Sequence, residues 1–198
     1  MELLIENFAK IKYAKIQCNG ITIIAGDNNT GKSTIGKVLC SIYNATTNLN
    51  EKINNKRKSE IKDILNLNLR NLISHKSSAD FVGIDKLPRL AEMITEQLFS
   101  LDEILHEEKI ISNLRENLKI YNITDDEIIS VVDKINNILN VEDNKLVLEV
   151  ISRYFSQFFS HQINNILDEE SKASVNFTVK NQKMNFLFSN NICTDFKI

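Results

Sequence analysis

The run Gly26-Asp27-Asn28-Asn29-Thr30-Gly31-Lys32-Ser33 constrains the fold more than any other part of this chain. Its spacing, G-x-x-x-x-G-K-S, is that of a backbone loop that wraps around phosphate and must be read in context, with a strand before it and a helix after it. Both are expected here. Ile21-Thr22-Ile23-Ile24-Ala25 is a continuous β-prone apolar run, and an unbroken run of this kind predicts a strand buried on both faces, central in its sheet. From Lys32 onward, Ile35, Val38, Leu39 and Ile42 recur with the period of an amphipathic helix. In that setting Gly26 and Gly31 let the backbone bend around an anion, and Asn28 and Asn29 tolerate left-handed conformations. Lys32 is expected to reach the β- and γ-phosphates of ATP, Ser33 to ligate Mg²⁺, and Thr34 to hydrogen-bond the α-phosphate from the first helical turn. Residues 26 to 34, with Asp27 and Thr30 included, are thus the predicted binding site.

The bulk numbers narrow the setting. At 198 residues and 42% hydrophobic content the chain can bury one core, or one core plus a helical appendage. A formal charge of −2 gives no global attraction to nucleic acid. Cys18, Cys40 and Cys193 are widely spaced and suggest neither a disulfide framework nor a zinc site, which fits a reducing cytoplasm. The start, Met1-Glu2-Leu3-Leu4-Ile5-Glu6, is acidic where a signal peptide is basic, and no apolar run approaches the roughly 20 residues that span a bilayer.

Around the loop, Leu3-Leu4-Ile5 and the alternating Ile11 to Ile16 predict two strands, separated at Asn7. Residues 46 to 171 read as helical. Residues 48 to 58 form a solvated connection carrying Lys52, Lys56, Arg57 and Lys58, and Pro88 opens a helix whose stripe Leu90, Ile94, Leu98, Leu101 and Leu105 is expected to face a partner. Thr124 with Glu127 is a capping box for a helix to about Leu139, and a further helix runs from about Asn144 to Asp168. Period-two patterning returns at Val175, Phe177 and Val179 and at Met184, Phe186 and Phe188, with a turn at Asn181-Gln182, a second at Asn190-Asn191, and a last strand from Ile192. The predicted organisation is a nucleotide-binding core of residues 1–45 and 172–198 interrupted by a helical insertion of residues 46–171.

Two β segments ahead of the P-loop strand, with Asn7-Phe8 between them and Gly26 to Thr34 after them, make the chain resemble the ABC-type ATPase heads of the SMC, RecF and OLD-like group. The resemblance covers about the first 45 residues well and the terminal hairpin loosely. It implies an α/β fold, a P-loop NTPase core with a mixed sheet that is here an incomplete ABC-type head, and an ATP-driven switch in bacterial DNA repair or phage defence. It also implies a basic residue after the first strand near the nucleotide, by position Lys10 or Lys12, though a solvated edge-strand lysine is the stronger reading. The expected partners are ATP and either a C-terminal half of the head or another chain; a homodimer and DNA are allowed by the resemblance but not established by the residues.

Hydrolysis in such heads needs further acids and a signature loop. Ile128 to Asp133 superficially resembles an acid-terminated strand but continues helically and has Lys134 where Glu is needed, and Ile166-Leu167-Asp168-Glu169 also reads as helix. The chain is therefore expected to be an N-terminal piece that binds ATP without turning it over. A complete P-loop kinase or GTPase and a non-hydrolysing regulatory module are the competing readings. His75, His106 and His161 lack metal-ligand spacing. Phe155, Phe158 and Phe159 could stack on a ligand or base, although core packing is the stronger reading, and the Lys52 to Lys58 cluster is read as solvated rather than bound to DNA.

Overall fold

The structure, a computed structural model, describes residues 1–28, 30–76, 86–100, 107–165 and 172–198, with the side chains of residues 74–76 and 120 left aside. Asn29 of the loop, Leu101 and Leu105 of the stripe, His106, the His75 side chain and Ile166 to Glu169 lie outside the described residues. The chain divides into two compact units, residues 1–53 with 143–198, and residues 54–142.

In the first unit, β1 (Glu2–Phe8) and β2 (Ile11–Gln17) form a hairpin, and β3 (Ala173–Val179), β4 (Gln182–Ser189) and β5 (Ile192–Lys197) form a meander. The five strands make one sheet in the order β2-β1-β3-β4-β5, every neighbour antiparallel. Register follows from alternation. Ile5 stands opposite Ala14 and Val175, and Val175 opposite Phe186, so one face collects apolar side chains. Helices α1 (Lys32–Thr46) and α6 (Asp143–Phe159) contribute to the same core. Val38, Ile42 and Ala45 of α1 and Ile151, Phe155 and Phe159 of α6 cluster with Leu3, Ile5, Phe8, Val175, Phe186 and Phe188. Phe8 is its hub, with ring centroids 4.9 Å from Phe159, 5.5 Å from Phe188 and 5.9 Å from Phe155. Each such fully buried side chain contributes about 1.5–3 kcal/mol.

The second unit is helical. Its helices are the greater part of α2 (Leu49–Lys76), α3 (Leu87–Ser100), α4 (Glu107–Leu118) and α5 (Asp125–Leu139), with a 3₁₀ turn at Lys119–Tyr121. Ile61, Leu65 and Leu69 of α2, Ile94 and Leu98 of α3, Ile110 and Leu114 of α4, and Val132 and Ile135 of α5 share one core. The capping box forms as its residues predict, with the Thr124 amide donating to Glu127 Oε2 at 2.8 Å and the Glu127 amide to Thr124 Oγ1 at 3.4 Å. None of the described helices is long and apolar enough to cross a membrane.

Several expectations are corrected. The sheet is antiparallel throughout the described strands, not mixed. Ile21 to Ala25, expected as the central strand, is outside the sheet and exposed, with Ile21 at 95% and Ile23 at 87% exposure. The reason is geometric: β1 already has β2 and β3 on its two edges, and a run apolar on both faces needs covering layers on both sides, which α1 and α6 on one face of the sheet do not give. Residues 49 to 58 are not a loop but the opening turns of α2. Of the stripe expected to face a partner, Ile94 and Leu98 are fully buried in their own unit, and Leu90 packs half-buried against the same core. Helix α6, placed by sequence in the insertion, packs into the sheet core and stops at Phe159 rather than Asp168, because Ser160 and His161 take consecutive left-handed conformations. The β3–β4 turn falls at Lys180-Asn181, one residue earlier than expected, with Lys180 at φ 53°.

Candidate functional site

The predicted phosphate loop runs from the exposed Gly26 into the N-terminus of α1. Gly31 caps the helix at φ 87°, a left-handed backbone that an L side chain adopts only with strain. A Cβ there would also meet Ile11 Cγ1 at 3.0 Å. Glycine is thus required twice, by conformation and by the closeness of β2. Within the loop the Thr30 hydroxyl donates to the Asp27 carbonyl at 2.8 Å, and Lys32 Nζ donates to the Gly26 carbonyl at 2.5 Å and to the Asp27 carbonyl. The ammonium is therefore held by the loop's own carbonyl oxygens. Ser33 is exposed beside it, whereas Thr34 is buried against the core at 9% exposure.

These residues form one wall of a cavity of about 590 Å³. Asn28, Gly31, Lys32, Ser33 and Thr34 line it from the loop, and Lys37 from the second turn of α1. Ala9 and Lys10 line it from the β1–β2 turn, and Phe158, Phe159, Ser160 and Gln162 from the end of α6. Of the two lysines that the sequence offered, Lys10 is in the wall, while Lys12 is an exposed residue of β2. Sequence reasoning missed Lys37 as a site residue, although its place five positions beyond Lys32 on the same helix could have suggested it. It gave no indication that the residues after Phe159 return to the loop, since that depends on the left-handed pair Ser160 and His161. Among the described residues, three lysines and no carboxylate line the cavity. Its volume lies within the roughly 300–1,000 Å³ of pockets that take small ligands.

The far wall is anchored by two partners, Ala9 and Asn191. The Ala9 amide donates to the Ile163 carbonyl at 2.7 Å, and Asn191 Oδ1 accepts from the amides of Ile163 and Asn164 at 2.7 and 2.8 Å. Asn164 Oδ1 in turn accepts from the Asn191 amide at 2.8 Å.

The other candidates are placed elsewhere. Asp133 lies on α5, as its helical reading predicts. Phe155 and Phe159 are core residues. The basic cluster is engaged within the chain: Lys52 Nζ donates to the Asn44 carbonyl at 2.6 Å and to the Thr47 carbonyl near the end of α1, Lys56 pairs with Glu60 at 3.0 Å, Lys58 with Glu96 at 2.9 Å, and Arg57 donates to the Val141 carbonyl at 2.7 Å. His161 is exposed after α6, and no cluster with metal-ligand character occurs among the described residues. Comparison with family models, with curated proteins and with solved structures finds no match.

Proposed function

We propose that this chain is the ATP-binding N-terminal portion of an ABC-type, SMC-like ATPase that works as a nucleotide-driven switch. The observation that carries the reading is the cavity at the start of α1, where residues of a G-x-x-x-x-G-K-S loop and three lysines converge. A triphosphate suits that wall. Lys32 Nζ exchanges its two loop carbonyls for phosphate oxygens, the positive end of α1 begins at the same place, and Lys10 and Lys37 extend the charge. Ser33 is the residue to hold Mg²⁺, which when bound offsets phosphate charge. Thr34, lining the cavity one residue on, is the α-phosphate contact.

Binding and turnover separate in this reading. Positioning a water for attack on phosphate takes a carboxylate or comparable group, and the described lining residues supply none. Such a group comes from a C-terminal half of the head or from a second chain. The exposure of Ile21, Ile23 and Ile24 supports that arrangement, since a five-residue β-prone apolar run gains most when another layer covers it. Action on DNA or in phage defence rests on the resemblance of the P-loop region alone.

Calorimetry with Mg·ATP tests the reading. The chain is expected to bind, Lys32→Ala to bind at least about tenfold more weakly, and hydrolysis to stay near background at saturating ATP. Unchanged affinity in a folded Lys32→Ala protein would remove the nucleotide from this loop, and Lys32-dependent turnover would make the chain an enzyme in its own right.

A further inference from the structure

Resting on the nucleotide reading above, we infer that the C-terminal end of α6 is the base-recognising wall of the cavity, where Phe158 stacks on adenine and the Gln162 amide hydrogen-bonds its edge.

Phe158 differs from the clustered phenylalanines of the core. Phe8, Phe155, Phe159, Phe186, Phe188 and Phe196 each pack against another ring with centroids within 5.9 Å. Phe158 is half-buried, lines the cavity and has no ring partner among the described residues. Its position on α6 explains this, because Ile151, Phe155 and Phe159 follow a four-residue spacing into the core while Phe158 is turned to the flank of that stripe. An aromatic face left at the edge of a core and bordering a polar cavity is suited to stacking on a base, an interaction indifferent to salt bridges and available to any π-face.

Beyond Phe159 the chain reverses. Ser160 at φ 49° and His161 at φ 64° break the helix, and Ser160 and Gln162 then line the same cavity as Phe158. A glutamine amide offers one donor and one acceptor side by side, the complement of adenine N7 and N6. The wall is also stiff, because Ile163 and Asn164 directly after it are fixed by Ala9 and Asn191. Lys37 Nζ stands 5.9 Å from the centroid of the Phe159 ring, so the positive side of the cavity reaches the foot of the aromatic side. One ligand, anionic at one end and aromatic at the other, satisfies both.

The test compares Mg·ATP with Mg·tripolyphosphate, which carries the phosphates without the base, by calorimetry on the whole chain. Wild type is expected to prefer ATP. Phe158→Leu, which keeps an apolar side chain against the core, should weaken ATP about tenfold and leave tripolyphosphate unchanged, and Phe158→Tyr should restore ATP binding. Gln162→Leu should weaken ATP about fivefold, again without affecting tripolyphosphate. Equal affinity of wild type for the two ligands would overturn the base wall and leave the phosphate site standing. Equal weakening of both ligands by Phe158→Leu would overturn it as well, making the ring a packing element. Failure of wild type to bind either would overturn the nucleotide reading itself and this inference with it.

Discussion

Gly31→Ala is the substitution whose cost the structure fixes most directly. At φ 87° an alanine occupies left-handed space, which costs about 1–2 kcal/mol by itself. The new methyl also arrives 3.0 Å from Ile11 Cγ1, and Ile11 is 7% exposed within the core, so it has little room to withdraw. Overpacking of this size adds about 1 kcal/mol or more. A total of roughly 2–3 kcal/mol is a large part of the 5–15 kcal/mol that holds a domain together. The conformational and steric parts can be separated, because Ile11→Ala removes the atom that is struck but not the strain in φ. In that background Gly31→Ala should cost only the first part, and the difference appears as a coupling between the two sites. Hydrogen exchange read on β1 and β2 peptides is the proper assay, since those strands belong to the first unit and the helical unit would dominate circular dichroism. The same variant should bind Mg·ATP more weakly, because the loop amides turn with Gly31. Unaltered protection of β1 and β2 in Gly31→Ala would refute the left-handed cap, and equal costs in both backgrounds would refute the contact with Ile11.

Two further predictions concern features away from the cavity. Iodoacetamide at pH 8 should label the exposed Cys40 fastest and the half-buried Cys18 next, but Cys193 only on unfolding, since it is 2% exposed and burial pushes its thiol from the ordinary 9.0 up to about 12. Because the folded value is the higher one, this group's contribution is complete below about pH 9 and is lost as pH rises toward 12; alkaline unfolding of Cys193→Ala should accordingly be less steep in that interval, and an identical profile would contradict a buried neutral thiol. Thr124→Ala should destabilise the helical unit by about 1 kcal/mol in urea unfolding while leaving Mg·ATP affinity unchanged, and a loss of affinity would show that the capping box matters beyond its own unit.

Local signals were legible in this sequence wherever they decided the outcome alone. The capping box at Thr124, the turn at Asn190-Asn191 and the helix following Lys32 each depend on neighbours within a few residues. Ile21 to Ala25 misled because an apolar run reports a demand for burial, not the presence of something to bury against. The lysines at 52 to 58 read as a solvated loop because sequence shows their charge but not the helix carbonyls and carboxylates that engage them. In the site, the residues of the loop were readable from spacing. The opposite wall was not, since Phe158 and Gln162 reach the cavity only through a chain reversal set by two left-handed residues and fastened to a turn far along the sequence.

That fastening bears on when the cavity comes into being. Asn191 holds the segment after α6 and so shapes a pocket whose other wall is residues 26 to 37, while β1 finds its inner neighbour β3 only after some 170 residues have been made. Contacts this distant in sequence form late, because the loop between them must close first. During synthesis the helical residues 54 to 142 can collapse on their own local contacts well before the sheet is whole. The loop at Gly26 is made well before Asn191 and becomes a two-walled pocket only after it. The cavity thereby forms only with the meander that carries Asn191, and a nascent chain stalled before Asn191 presents residues 26 to 37 without the fastening that holds the opposing wall.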